Sequence, residues 1–178
     1  LFGLVFQKTY WWLHRRLSRN RSASLRSTHL SRNITRMEIH FLRHTPVHNP
    51  ENRCYGKSDI SLPDNYLEHF GRIKLDTDYD CVFSSPSERC TKIAEHFGLK
   101  YTIDQRITEL NFGDWEGKKW IEIPQNEIDP WYEDFVYYPT KNGESLYDLR
   151  LRVKEFIRTV KEEKHTKVLV ITHAGVIR

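Results

Sequence analysis

Sulfur is scarce in this chain: one methionine and three cysteines among 178 residues. Cys54, Cys81 and Cys90 are odd in number and lack the paired spacing of a zinc site or disulfide framework, so a reducing, cytoplasmic setting is expected. No apolar run approaches the ~18 residues of a membrane-spanning helix, and no membrane partner is expected. Several phosphate chemistries are missing as well. No stretch reads G-x-x-x-x-G-K-[ST], which excludes a P-loop. No cysteine is followed by an arginine six positions later, which excludes a cysteine nucleophile of the phosphatase-loop kind. "LDTDYD" (75–80) has the spacing of an aspartate nucleophile but precedes its apolar run, so it reads as a solvated turn.

Acidic residues are absent from residues 1–36, which hold eight of the 28 lysines and arginines. The remaining 142 residues therefore carry 20 basic against 24 acidic groups, and the net charge of +4 belongs to the leading segment. That segment is Arg- and Ser-rich without a sustained period. The chain begins with Leu, and Met37 stands where the first strand pattern starts. Translation is expected to begin at Met37, leaving 1–36 as a basic extension that is disordered or untranslated. A transit peptide and an RNA-binding arm are the alternatives. No nucleic-acid partner is expected for 37–178.

What is present alternates between strand and helix. "MEIHFLRH" has period two and ends near Arg43. "YDCVFSS" (79–85) is a short apolar run, and "SPSERCTKIAEHFG" after it spaces Ile93, Ala94 and Phe97 helically, with a start at Ser85-Pro86 and a stop at Gly98. "YTIDQRI" predicts a third strand, and the aromatic, proline-punctuated 120–145 region short helical turns and loop. From Glu144 to His165, Leu146, Leu149, Val153, Phe156, Ile157 and Val160 form one stripe of a long helix. "TKVLVITH" is apolar throughout, as a central strand buried on both faces would be. The pattern predicts an α/β fold: a three-layer αβα sandwich with a mostly parallel sheet and sites at the carboxyl ends of its strands.

Three of those ends carry chemistry: Arg43-His44, Ser84-Ser85 leading to Arg89, and Thr172-His173. A histidine after a strand is usually an ordinary side chain. Two of them, with two arginines in the same scheme, make a dense positive pocket for a dianion, and the guanidinium fork suits phosphate oxygens. Catalysis needs more. A neutral, oriented imidazole can attack phosphorus, and the leaving alkoxide needs a positioned acid. Glu109 in "ITELNFGDWEG" supplies a carboxyl flanked by Leu110, Phe112 and Trp115, which would keep it partly dry. His40, His44 and His48 are spaced four apart, but a strand interrupted by Pro46 does not make a helical metal stripe, and no metal is expected.

With those residues assembled, residues 37–178 resemble the histidine phosphatase (phosphoglycerate mutase-like) superfamily. Four separated parts carry the likeness in order: "FLRHT", "SSPSERCTKIA", "ITELNFGDWEG" and "THAGVIR". The resemblance implies a phosphorylated His44, with Arg43, Arg89 and His173 on the phosphoryl oxygens and Glu109 as acid and then base, without metal or other cofactor. Thr45, where Gly is commonest, and "CYGKSDISL" (54–62) make the chain look most like α-ribazole phosphatases of cobalamin assembly, with Thr45, Tyr55 and Gly56 at the substrate. Only 33 residues separate Glu109 from Gly143, which favours a hydrolase of a small phosphomonoester over a mutase. A broad sugar-phosphate or nucleotide phosphatase and a non-enzymatic phosphate-binding module are the rivals. Because the chain stops five residues after His173, the domain is expected to be truncated at its C-terminus, with Val176 and Ile177 lacking a packing partner.

Overall fold

The computed structural model describes residues 37–178, and the expectations for 1–36 lie outside them. Four strands, β1 (Glu38–Arg43), β2 (Cys81–Ser84), β3 (Thr102–Ile103) and β4 (Lys167–Thr172), form one sheet in the order β1-β4-β2-β3. All pairings are parallel. The apolar run ending in His173 is therefore a central strand, as its composition predicts. Its side chains alternate in destination. Val168 and Val170 face one cluster with Phe83, Leu149, Phe156 and Val160. Leu169 and Ile171 face another with Val82, Phe70, Ile93 and Ala94.

Helices cover both faces, which completes the αβα sandwich. Leu149, Phe156 and Val160 lie on α4 (Leu146–Glu162), and all six residues of the stripe join the first cluster. Ser145 caps α4: its Oγ accepts from the Asp148 amide at 3.2 Å, and the Asp148 carboxylate accepts from the Ser145 amide at 2.9 Å. The second cluster is closed by α1 (Tyr66–Phe70) and α2 (Glu88–His96). Gly98, just past α2, has φ +62°, the left-handed conformation that ends a helix without a Cβ clash.

Several elements depart from the sequence-based expectation. α2 starts two residues later than Ser85-Pro86, because Ser85 extends the β2 ladder by donating its amide to the Ile171 carbonyl at 2.9 Å. The third strand is only two residues, and Gln105–Ile107 is a 3₁₀ turn. Its cause is local: the Asp104 side chain accepts from the Arg106 amide at 2.8 Å and pulls the chain out of the ladder. The short helical turns expected over 120–145 include one longer helix, α3 (Gln125–Glu133), of nine residues with Pro130 inside it. Val176, on the short α5 (Ala174–Ile177), is buried in the α4-side cluster, contrary to the expectation that nothing packs behind it. Among the described residues no helix is long and apolar enough to cross a membrane.

Candidate active site

Sheet register brings the two histidines together. Arg43 pairs with Thr172 across β1 and β4, so the residues that follow, His44 and His173, leave the sheet side by side. The His44 amide donates to the Thr172 carbonyl at 3.0 Å. The two rings lie 5.2 Å apart at 63°. His40, four residues earlier, turns instead to the Tyr79 hydroxyl at 2.9 Å, so the four-residue histidine spacing does not assemble a cluster.

The tautomer of His44 follows from its partner. Nδ1 lies 2.7 Å from the Thr45 carbonyl oxygen, which can only accept, so Nδ1 carries the proton and Nε2 keeps its lone pair. The side chain is 8% exposed. Burial, then the Arg89 charge and to a lesser degree Arg43, lower its pKa to about 3, against the Thr45 hydrogen bond. His173 is fully buried, with Nε2 2.7 Å from Ser85 Oγ and 3.7 Å from Cys90 Sγ, while Nδ1 has no hydrogen-bond partner. Burial, followed by the positive potential of His44 and Arg89, lowers its pKa to about 2. Both imidazoles are neutral across the physiological range.

That neutrality makes acid sensitivity a property of the site. In the unfolded chain both histidines protonate near pH 6.5, whereas the folded chain resists until about pH 3 or below. Below pH 6.5 the unfolded state therefore binds more protons, and stability falls as pH falls. Each histidine should remove about 1.4 kcal/mol per pH unit over that window. Urea midpoints at pH 7 and pH 5 should differ accordingly, by several kcal/mol in unfolding free energy. Equal midpoints would show that the imidazoles are not held neutral.

Arg89 is fully buried on α2, and its guanidinium donates to the Gly56 carbonyl at 2.6 Å and the Ser58 carbonyl at 2.9 Å. Asp59 lies 3.6 Å from Nη1 and accepts from the Glu88 amide at 2.9 Å, tying the same loop to the start of α2. Arg89 Nε has no partner, and the Tyr55 ring packs 5.6 Å from the guanidinium. Arg43 is exposed at the rim. Thr45 Oγ1 is buried without a hydrogen-bond partner beside His44. Gly56 is required by close approach, because a Cβ there would strike the Leu110 carbonyl oxygen. The 54–58 loop thus packs directly against the segment that carries Glu109.

Glu109 follows the 3₁₀ turn rather than the third strand itself. It is half-buried, and its carboxylate accepts from the Leu110 amide at 3.0 Å and the Gly175 amide at 3.1 Å. A Cβ at Gly175 would collide with that carboxylate, so a larger residue there would push Glu109 out of its present position. Trp115 does not flank Glu109 as expected. It packs with Cys54, Ile123 and Ile128, and its indole N–H donates to Glu127 at 2.8 Å.

Two residues that the sequence placed at strand ends, Ser85 and Thr172, support the site, and a third support, Arg152, escaped the sequence. Ser85 Oγ lies 2.7 Å from His173 Nε2. Thr172 Oγ1 donates to the Ile107 carbonyl at 2.6 Å, linking the end of β4 to the Glu109 segment. Arg152 on α4 gathers the carbonyls of Arg106 and Thr108 (both 2.7 Å) and Glu109 (3.0 Å) while pairing with Glu144 at 2.6 Å. Arg152 lies beside the apolar stripe, one residue before Val153, and nothing in its sequence position marks it out.

The sequence profile of the histidine phosphatase superfamily (branch 1) matches residues 39–178. Phosphoserine phosphatase 1 of Hydrogenobacter thermophilus is 29% identical over 107 residues, 56% of this chain and 51% of that protein. The chain spans about half the length of the curated relatives it matches. The solved alpha-ribazole phosphatase from Shigella flexneri has the same fold, with a TM-score of 0.69, 23% identity, and coverage of 78% of this chain and 75% of that one. YhfR of Bacillus stearothermophilus gives a TM-score of 0.66 at 25% identity, over 78% and 75% of the two chains. With the profile spanning nearly all of the described residues, on an αβα fold shared with these structures, the chain belongs to the histidine phosphatase superfamily.

Proposed function

We propose that residues 37–178 hydrolyse phosphomonoesters through a phosphohistidine on His44. The observation that carries this is the Nδ1 hydrogen bond to the Thr45 carbonyl, which leaves Nε2 as an unprotonated nucleophile next to His173 and in the field of two arginines. Nε2 attacks phosphorus, the P–O ester bond breaks, and Glu109 in its acid form protonates the departing alcohol. Glu109, now a carboxylate, takes a proton from water. The hydroxide attacks phosphorus, the P–N bond breaks, and inorganic phosphate leaves with His44 restored. Arg43, Arg89 and His173 stabilise the charge that builds on the phosphoryl oxygens, a role that elsewhere falls to a metal ion.

The substrate favoured by Thr45 and the Tyr55-Gly56 loop is α-ribazole 5′-phosphate or its corrinoid ester, with these three residues at the substrate. Phosphoserine is the second reading, supported by the names of the curated relatives. A turnover screen should include both esters, 3-phosphoglycerate and p-nitrophenyl phosphate. The expected result is a kcat/KM for α-ribazole phosphate at least about tenfold above phosphoserine. The reverse order would replace the first reading by the second. Release of isomerised phosphoglycerate would mean a mutase, and no turnover on any ester a binding module.

A further inference from the structure

Glu116 stands outside the groups assigned to phosphoryl transfer, yet it is the most heavily bonded carboxylate near them. Its two oxygens accept four backbone amides. Oε2 takes Gly56 at 3.1 Å and Ser58 at 2.9 Å, and Oε1 takes Lys57 at 2.9 Å and Phe112 at 3.0 Å. A carboxylate has about four lone-pair sites, so this one is saturated. Burial pushes the Glu116 carboxyl up, but hydrogen bonds from Ser58, Phe112 and Gly56 outweigh it and hold it below the ordinary carboxylate value.

Two of the residues that donate to Glu116 are the ones whose carbonyls hold the arginine. Gly56 and Ser58 give their N–H groups to Glu116 and their C=O groups to Arg89. With its amides pinned on one side, that run of backbone has its carbonyls fixed on the other. Two of the five guanidinium N–H groups are thereby committed, which sets the plane in which the rest can meet an anion. The Phe112 amide adds a second tie, binding the loop to the segment three residues after Glu109.

We propose that Glu116 is a positioning residue for Arg89. It acts through the Gly56–Ser58 peptides to hold the guanidinium at the angle that receives phosphoryl oxygens, and through Phe112 it keeps that loop in register with the acid. This inference rests on the phosphatase reading above.

The test is Glu116→Gln in the full chain. An amide offers one oxygen and one NH₂, so in either orientation two backbone donors meet a donor instead of an acceptor. Calorimetric titration with inorganic phosphate should show affinity reduced about tenfold. With p-nitrophenyl phosphate the loss should appear in KM more than in kcat, since the nucleophile and acid are untouched. The variant is then combined with Arg89→Ala. If Glu116 acts through the arginine, Glu116→Gln should change kcat/KM less than about twofold in the Arg89→Ala background. An unchanged phosphate affinity in Glu116→Gln, or the same loss in both backgrounds, overturns the inference. Should Glu116→Gln fail to fold by circular dichroism, Glu116→Asp keeps the charge while withdrawing the acceptors by one methylene, and the same criteria apply. A wild-type chain that neither binds phosphate nor turns over ester defeats the phosphatase reading itself. A wild type that does both, with Glu116 uncoupled from Arg89, defeats only this inference.

Discussion

Replacing His44 by alanine should reduce ester hydrolysis by about four orders of magnitude and abolish covalent labelling of the chain by a phosphate donor. The effect is large because, in the proposed mechanism, His44 forms the P–N bond. Its Nδ1 is committed to the Thr45 carbonyl, and its neighbour His173 has Nε2 engaged with Ser85. No second imidazole is poised to substitute. In the wild type the label should be acid-labile and base-stable, as a phosphoramidate is and a phosphoserine or acyl phosphate is not. A His44→Ala chain that still acquires label would place the nucleophile elsewhere and end the mechanism. His44 is buried and its ring lies 5.2 Å from that of His173, so the melting temperature of the variant is measured beside its activity, and loss of labelling in a chain that still folds is what identifies the nucleophile.

Glu109→Gln should have the second largest effect, and its size should depend on the leaving group. An alkyl phosphate releases an alkoxide that must be protonated, so turnover should fall by about 10² to 10⁴. Nitrophenolate leaves without a proton, so formation of the phosphoenzyme from p-nitrophenyl phosphate should be far less affected. Its breakdown still needs a base for water. The variant should accordingly release a burst of one nitrophenol per active site and then slow, with phosphohistidine accumulating. Glutamine keeps a carbonyl oxygen for the Leu110 and Gly175 amides, so the local backbone should survive the change. Equal losses on both esters and no burst would remove Glu109 from both proton transfers.

Much of the scaffold was legible because its signals are local and periodic. The run 167–172 is apolar at every position from Val168 to Ile171, which only a strand covered on both faces tolerates. The α4 stripe repeats at helical spacing and ends up in one cluster. Where the sequence misled, a tertiary or side-chain contact had overridden the local pattern. The prolines of 120–145 suggest only short helical turns, yet α3 runs nine residues through Pro130, with Ile128 buried and Trp131 packed against Trp115 at 5.6 Å. "YTIDQRI" has strand composition, yet Asp104 caps a 3₁₀ turn within it.

The sequence by itself determined which chemistry-bearing side chains the chain owns and that His44 and His173 each follow a strand, since period and composition act over a few neighbouring residues. Only the tertiary structure decided that β1 and β4 are adjacent, in the register that places those histidines 5.2 Å apart. It alone decided the state of His44, because a tautomer depends on the Thr45 carbonyl and a pKa on burial and on Arg89. The supports of the site lie furthest from the reach of sequence. Glu116 meets Gly56 across 60 positions, and Arg152 meets Arg106 across 46. A hydrogen bond between groups that far apart leaves no periodic trace, because its geometry exists only once the chain has closed the loop between them.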